Sequence, residues 1–360
     1  MDDHAYPKVL EKVQSSMLGF LRALEDVQQS VQFDRIGDAQ QQLQDAAGDS
    51  LAHATAALKS ASAPAAGKAL DEDVRQALVH LTNALHMFIV KTGGADFGMS
   101  FMSSRGQQCR ALEILYRRRL ELDVIEPYFR MSDDTRSAEL LGDNAPSLGL
   151  SHHERSAEHN NYSLYVPEYY DPEKEWPLIV CLHGGYGNGD EYIWSWLRIA
   201  RSKGYVLLAP KSIAPTWSIV QPPLDVKSIT LMMDQISASY AIDKSRLYLS
   251  GLSDGGTFSY LLGLCHADRF CGVAPIAGVL SQAADTMLRA KQGKELPLHV
   301  IHGAHDMIFP VQSVRSTNEL LHSLGYQLTY TELPDWGHAL TYSINEELVL
   351  PWFEQLGAVN

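Results

Sequence analysis

The hydrophobic period changes once along this chain, and that change limits what each part can fold into. Up to about residue 130 the apolar residues recur every three or four positions, the spacing of one buried helix face. Val9, Val13, Met17, Phe20, Leu24, Val27 and Val31 mark the first such face. Ile36, Leu43, Ala47, Leu51, Ala54 and Leu58 mark a second, closed by Pro64 and Gly67, and Leu70, Val74, Leu78, Leu81, Leu85 and Phe88 a third that stops at Gly93-Gly94. A fourth helix is expected over about 105–126. Short connections make such helices antiparallel neighbours, so an all-α up-down bundle is predicted. From Tyr162 onward, short apolar runs alternate with helical stretches, the pattern of an α/β domain with a mostly parallel sheet flanked by helices. Strands are expected at 162–166, 178–182, 205–209, 247–250, 272–276, 298–301 and 328–332, and helices near 192–203, 226–240, 255–266, 312–324 and 344–356. The stretch 132–158 is polar and without period. It reads as a linker between a helical domain at 1–131 and an α/β domain at 159–360.

Composition narrows the partners. Lys+Arg 29 against Asp+Glu 43 gives a net charge of −14, which disfavours nucleic acid and anionic membrane surfaces. No run of about 18 apolar residues is present, so no stable membrane association is expected. Cys109, Cys181, Cys265 and Cys271 are scattered without a C-x-x-C pair, so neither a metal site nor a disulfide framework is expected. The first residues lack the basic and apolar regions of a secretory signal, which points to a cytoplasmic location.

The chemistry is concentrated at the ends of the expected strands. Gly251-Leu252-Ser253-Asp254-Gly255-Gly256 follows one strand and opens a helix. A serine there must make a sharp turn, and small residues two before and two after it keep the neighbouring backbone clear. Ser253 is therefore the candidate nucleophile, with the N–H of Asp254 at a helix N-terminus as one oxyanion donor. His183-Gly184-Gly185-Tyr186 follows another strand and supplies the second donor from Gly185 or Tyr186. Its G-x-G-x-G spacing does not fit a dinucleotide loop, and His183 reads as a structural ring that ties the loop down. An acid and a base should follow in chain order, each after a later strand. Asp306 and His338 occupy those places; His302, His305 and Asp335 are the rivals, read as structural or turn residues.

These motifs, with His302-Gly303-x-x-Asp306 and Gly337-His338, resemble the α/β-hydrolase superfamily, in its phospholipase/carboxylesterase and polyhydroxybutyrate-depolymerase-like esterase branches. The resemblance covers roughly residues 160–356. It implies a serine carboxylesterase that hydrolyses small-molecule esters through an acyl-enzyme on a Ser253–His338–Asp306 triad, with no metal and no organic cofactor. An acyl thioesterase or lysophospholipase on the same triad is the alternative within enzymes, and a catalytically silent hydrolase-fold binding protein the alternative outside them. The sequence departs from the acyl-protein thioesterase pattern in carrying Asp254 where Gln is usual, and Tyr186 interrupts an H-G-G-G run.

Trp194, Trp217, Met307 and Trp336 follow strand ends and are candidates to line the substrate pocket. The helical segment has no counterpart in a minimal enzyme of that branch. It is expected to pack or to form a homodimer, the competing reading being a cap with a mobile apolar stretch at 97–102. Arg117-Arg118-Arg119 reads as a solvated helix face.

Overall fold

The computed structural model describes residues 5–32, 34–90, 95–134, 148–156, 160–219 and 223–359. The chain divides into two compact units, Met1–Ala138 and Glu139–Asn360.

The first unit holds α1 (Ala5–Ser30), α2 (Ile36–Ser60), α3 (Lys68–Ile89) and α4 (Ala95–Arg117), each packed against the next. Met17, Phe20 and Leu24 of α1, Leu43 of α2 and Leu81 and Phe88 of α3 lose all solvent contact. Each such side chain stabilises the bundle by about 1.5–3 kcal/mol. Gln40 closes the end of α3 by donating from Nε2 to Phe88 O and Val90 O, both at 3.0 Å.

The fourth helix differs from its expected span, running over Ala95–Arg117 rather than 105–126. Serine hydroxyls tie its first half to α3. Ser104 Oγ donates to Ala84 O at 2.7 Å, so a small polar residue brings α4 close against α3 where an apolar spacing search sees no signal. Phe101 meets Phe88 with ring centroids 6.1 Å apart. Residues 97–102, the stretch that the competing cap reading made mobile, lie within this helix; Gly93-Gly94 lie outside the described residues. Beyond Arg117 the chain turns through 3₁₀ segments at Arg119–Glu121 and Glu126–Phe129. Arg119 is buried with its guanidinium 4.2 Å from the Tyr116 ring centre, and Arg118 pairs with Asp73 at 2.6 Å. Only Arg117 of the three is an exposed helix face.

The second unit is built on eight strands: β1 (Gly149–His153), β2 (Tyr162–Val166), β3 (Trp176–Leu182), β4 (Val206–Pro210), β5 (Ile242–Leu252), β6 (Gly272–Ile276), β7 (Leu298–Gly303) and β8 (Leu328–Leu333). Their order across the sheet is β1-β2-β4-β3-β5-β6-β7-β8. The β1–β2 and β2–β4 pairs are antiparallel and all others parallel. Strands β2, β3, β4, β6 and β7 are buried along their whole length, which explains the continuous apolar runs of the parallel strands β3, β4 and β6. Between them come α5 (Gly189–Tyr192), α6 (Leu197–Lys203), α7 (Pro223–Ser239), α8 (Asp254–Cys265), α9 (Gln282–Arg289) and α10 (Val311–Leu324), and after β8 come α11 (Tyr342–Ile344) and α12 (Leu350–Val359).

Alternation along the strands supplies both faces. Leu178, Val180, Leu182, Val206, Leu208, Leu247, Leu249, Val273, Leu298 and Val300 share one apolar core with Ile229, Met232 and Met233 of α7 and Phe258 and Leu261 of α8. Tyr248, of opposite parity on β5, stacks on Phe353 of α12 with centroids 4.4 Å apart and donates its hydroxyl to Phe353 O at 2.9 Å. The strand β1 was not expected, because residues 149–153 fall in the stretch read as linker. Its Gly-Leu-Ser-His-His sequence is mostly half-exposed at the sheet edge, so it shows neither a buried run nor alternation.

Candidate active site

The parallel strands all deliver their following loops to one edge, and the register brings particular ends together. Leu182 at the end of β3 pairs with Gly251 of β5, Gly251 with Pro275 of β6, and Gly303 of β7 with Leu333 of β8.

Ser253 stands between β5 and α8 with φ 59° and ψ −120°, left-handed backbone that a non-glycine residue adopts only under constraint. Its N–H donates to Ile276 O at 2.9 Å. The turn closes because its neighbours are glycines. A Cβ on Gly251 would stand 2.4 Å from Gly255 O, and one on Gly255 would stand 2.3 Å from Leu182 O and 2.5 Å from His183 O.

Three of the sequence candidates meet here. His338 Nε2 lies 2.9 Å from Ser253 Oγ, and His338 Nδ1 lies 2.7 Å from Asp306 Oδ2. The other oxygen of Asp306 accepts from the N–H groups of Ile308 and Phe309, each at 2.8 Å. Burial pushes the Asp306 carboxyl up, but His338 and the Phe309 N–H outweigh it and hold the carboxyl below its ordinary value. Asp306 therefore faces the ring as a carboxylate. The Phe309 ring packs edge-on to His338 with centroids 5.7 Å apart.

His302 donates no contact to Ser253. Its Nε2 bonds to Phe309 O at 2.8 Å and lies 3.5 Å from Asp306 Oδ2, and burial lowers its pKa. His305 is exposed, its N–H held by Trp336 O at 2.9 Å.

The loop after β3 is tied to the loop after β4 by several bonds. Ser212 N–H donates to His183 Nε2 at 3.1 Å, which leaves Nδ1 as the protonated nitrogen, 2.6 Å from Gly184 O. Trp217 Nε1 donates to His183 O at 2.7 Å, and the Lys211 ammonium is held by Gly187 O. Tyr186 N–H donates to Pro215 O at 2.7 Å. That bond corrects one expectation, since a committed N–H is not available to an oxyanion. Gly185 N–H has no partner among the described residues, and a Cβ on Gly184 would be 3.4 Å from Ser253 Cβ, so this loop rides against the serine.

The expected pocket lining divides. Trp217 is 2% exposed, stacked on Phe258 at 5.3 Å and tilted over His183, so it props the loop from below rather than lining an open pocket. Trp194 is likewise buried. Met307 is 64% exposed beside Asp306, and Trp336 is half-buried. Tyr186 at 74% and Ile308 at 49% exposed join Met307 as apolar side chains on the loops that carry the candidate residues. Sequence reasoning missed Ile308 and also Thr216, whose hydroxyl donates to Asp254 Oδ2.

Two buried imidazoles make this unit acid-sensitive. Burial lowers His183 to about 4 and His299, 2.9 Å from Thr331 Oγ1, to about 4. A folded-state value below the unfolded one stabilises the fold above the unfolded value, about 6.5, and that contribution is lost as pH falls through the folded value. The unfolding midpoint of the second unit should drop by roughly 5 °C or more between about pH 6.5 and 4, with a shallower drop in His299→Gln. A calorimetric midpoint that is flat or rising on acidification would contradict neutral buried rings.

Residues 225–348 match the family described as phospholipase/carboxylesterase. The second unit has the α/β-hydrolase fold, and its residues from Asp225 on are similar to that family. The chain is 29% identical over 203 residues to feruloyl esterase C of Emericella nidulans, covering 52% of this chain and 72% of that one. It is 29% identical over 158 residues to a bifunctional acetylxylan esterase/xylanase of Neocallimastix patriciarum, covering 42% of this chain and 22% of that protein's length. Among solved structures, a ferulic acid esterase from Anaeromyces mucronatus aligns with TM-score 0.50 and 16% identity, over 64% of this chain and 100% of that one. That likeness concerns the hydrolase fold alone.

Proposed function

We propose that this chain is a serine carboxylesterase working through an acyl-enzyme on Ser253. The observation that carries the reading is the unbroken hydrogen-bonded chain from Asp306 through His338 to Ser253 Oγ, assembled from three separate strand ends. In this mechanism Ser253 Oγ attacks the ester carbonyl carbon while its proton passes to His338 Nε2. The N–H groups of Gly185 and Asp254 hold the oxyanion, and the C–O bond to the alcohol breaks as His338 returns the proton to it. Water then repeats the sequence on the acyl-enzyme, releasing the acid. Asp306 keeps the ring oriented and stabilises its protonated form. A binding protein without catalysis has no use for these three polar groups in hydrogen-bonded line.

The similarity to a feruloyl esterase C supports esters of aromatic acids as the first substrates to try, and the exposed Tyr186, Met307 and Ile308 suit an apolar acyl or alcohol group. Thioesters and lysophospholipids are the alternative substrates on the same residues. The helical unit is assigned to packing or homodimerisation. No helix among the described residues is long and apolar enough to cross a membrane. All four cysteines are free thiols, which supports a reducing compartment such as the cytoplasm as the place of work.

The test is covalent labelling. A fluorophosphonate should phosphonylate Ser253 stoichiometrically, mapped by peptide mass spectrometry, and abolish esterase activity, while EDTA leaves that activity unchanged. Labelling at another serine, or activity lost to EDTA and restored by zinc, would sink the assignment.

A further inference from the structure

The Asp254 side chain occupies an unusual position for a carboxylate. Its Oδ2 accepts from the Thr216 hydroxyl and lies 2.5 Å from where a Cβ of Gly185 would stand. It therefore covers the Cα of the residue whose N–H is assigned to the oxyanion, one residue from the nucleophile. Its partner is a neutral hydroxyl, not a cation. Cations are sparse around it. The loops that leave β3 to β8 carry a single Lys, Lys211, and no Arg; the Lys211 ammonium donates to Gly187 O and interacts with the acids Glu191 and Asp190. Asp306 on the same loops is matched by His338, and Asp190, paired with His152, opens α5 just beyond.

We infer that Asp254 is a specificity-determining residue that makes this site favour neutral and cationic esters over anionic ones. The inference rests on the serine-esterase reading above. Any cost that Asp254 imposes on the developing oxyanion is common to all esters and cancels between substrates, and the α8 N-terminus offsets part of it. A carboxylate or phosphate carried by the substrate adds a second repulsion that does not cancel, whereas a quaternary ammonium gains an attraction. Phosphate-bearing thioesters and lysophospholipids are then poor substrates for an electrostatic reason, whatever their chain length.

The full chain is assayed for kcat/KM on three p-nitrophenyl esters of similar size: butyrate, hemisuccinate, and the ester of γ-butyrobetaine. Butyrate should exceed hemisuccinate by about tenfold or more, with the betaine ester at least equal to butyrate. Asp254→Asn keeps an oxygen for the Thr216 hydroxyl and removes the charge; it should shrink the butyrate-to-hemisuccinate ratio by about fivefold. Raising salt from about 20 mM to about 0.5 M should narrow the wild-type ratio as well, a measurement that needs no variant. A ratio unaffected by both salt and Asp254→Asn, in proteins that hydrolyse butyrate and are phosphonylated at Ser253, overturns the charge assignment and leaves the serine reading standing. A wild-type chain that neither hydrolyses butyrate nor labels at Ser253 overturns both.

Discussion

Ser253→Ala should lower kcat on any accepted ester by on the order of 10⁴ or more, with the fold unchanged. The removed oxygen is the atom 2.9 Å from His338 Nε2, and no other hydroxyl is bonded to that nitrogen among the described residues. His338→Ala should cost a similar factor, because serine and histidine act as one unit; the double variant should be little worse than either single one. Asp306→Asn should cost somewhat less, since the amide still accepts from Ile308 and Phe309 through its oxygen but no longer balances a protonated ring. The measurement is steady-state turnover beside circular dichroism. Near-native turnover in Ser253→Ala would remove the nucleophile assignment.

Gly255→Ala should be a strongly damaging methyl addition at the candidate site, destabilising the second unit by about 3 kcal/mol. The new Cβ would meet Leu182 O at 2.3 Å and His183 O at 2.5 Å. Both obstacles are backbone at the end of β3, so relief requires the strand end to move, and the loop bearing Gly185 moves with it. Activity should therefore fall along with stability. Gly19→Ala is the control: α1 leaves nothing within 4 Å of that Cβ, and removing a mid-helix glycine should gain up to about 1 kcal/mol. Urea unfolding of both variants decides it. Equal stabilities for the two would mean that the β3 end and the elbow are not in the contact described.

Much of the second unit was legible because the parallel strands β3, β4 and β6 are buried on both faces and announce themselves as apolar runs. What escaped were elements whose reason to exist lies elsewhere in the chain. β1 is an edge strand with Ser and His, and α9 is only Gln282–Arg289, with few buried residues. The start of α4 depends on serine hydroxyls finding carbonyls on α3, a contact without periodic signal. The candidate site was legible in its polar residues, since chain order and strand ends single out Ser253, Asp306 and His338. Its supports were not. The choice between Gly185 and Tyr186 turns on a bond to Pro215 O, and the Trp217 position on a bond to His183 O; neither partner carries a sequence mark.

The three candidate residues depend on strands of unequal security. β5, which carries Ser253, lies between β3 and β6 in the interior of the sheet, whereas β8, which precedes His338, is the last strand and is only half-buried along its length. The imidazole is thus positioned by the part of the sheet that has least to lose by opening, and local opening free energies follow such differences in burial. A β8 that frays separates His338 from Ser253 while β3, β5 and β6 remain paired. The alignment of His338 with Ser253 is accordingly the contact of the candidate site most readily lost when this edge of the sheet opens.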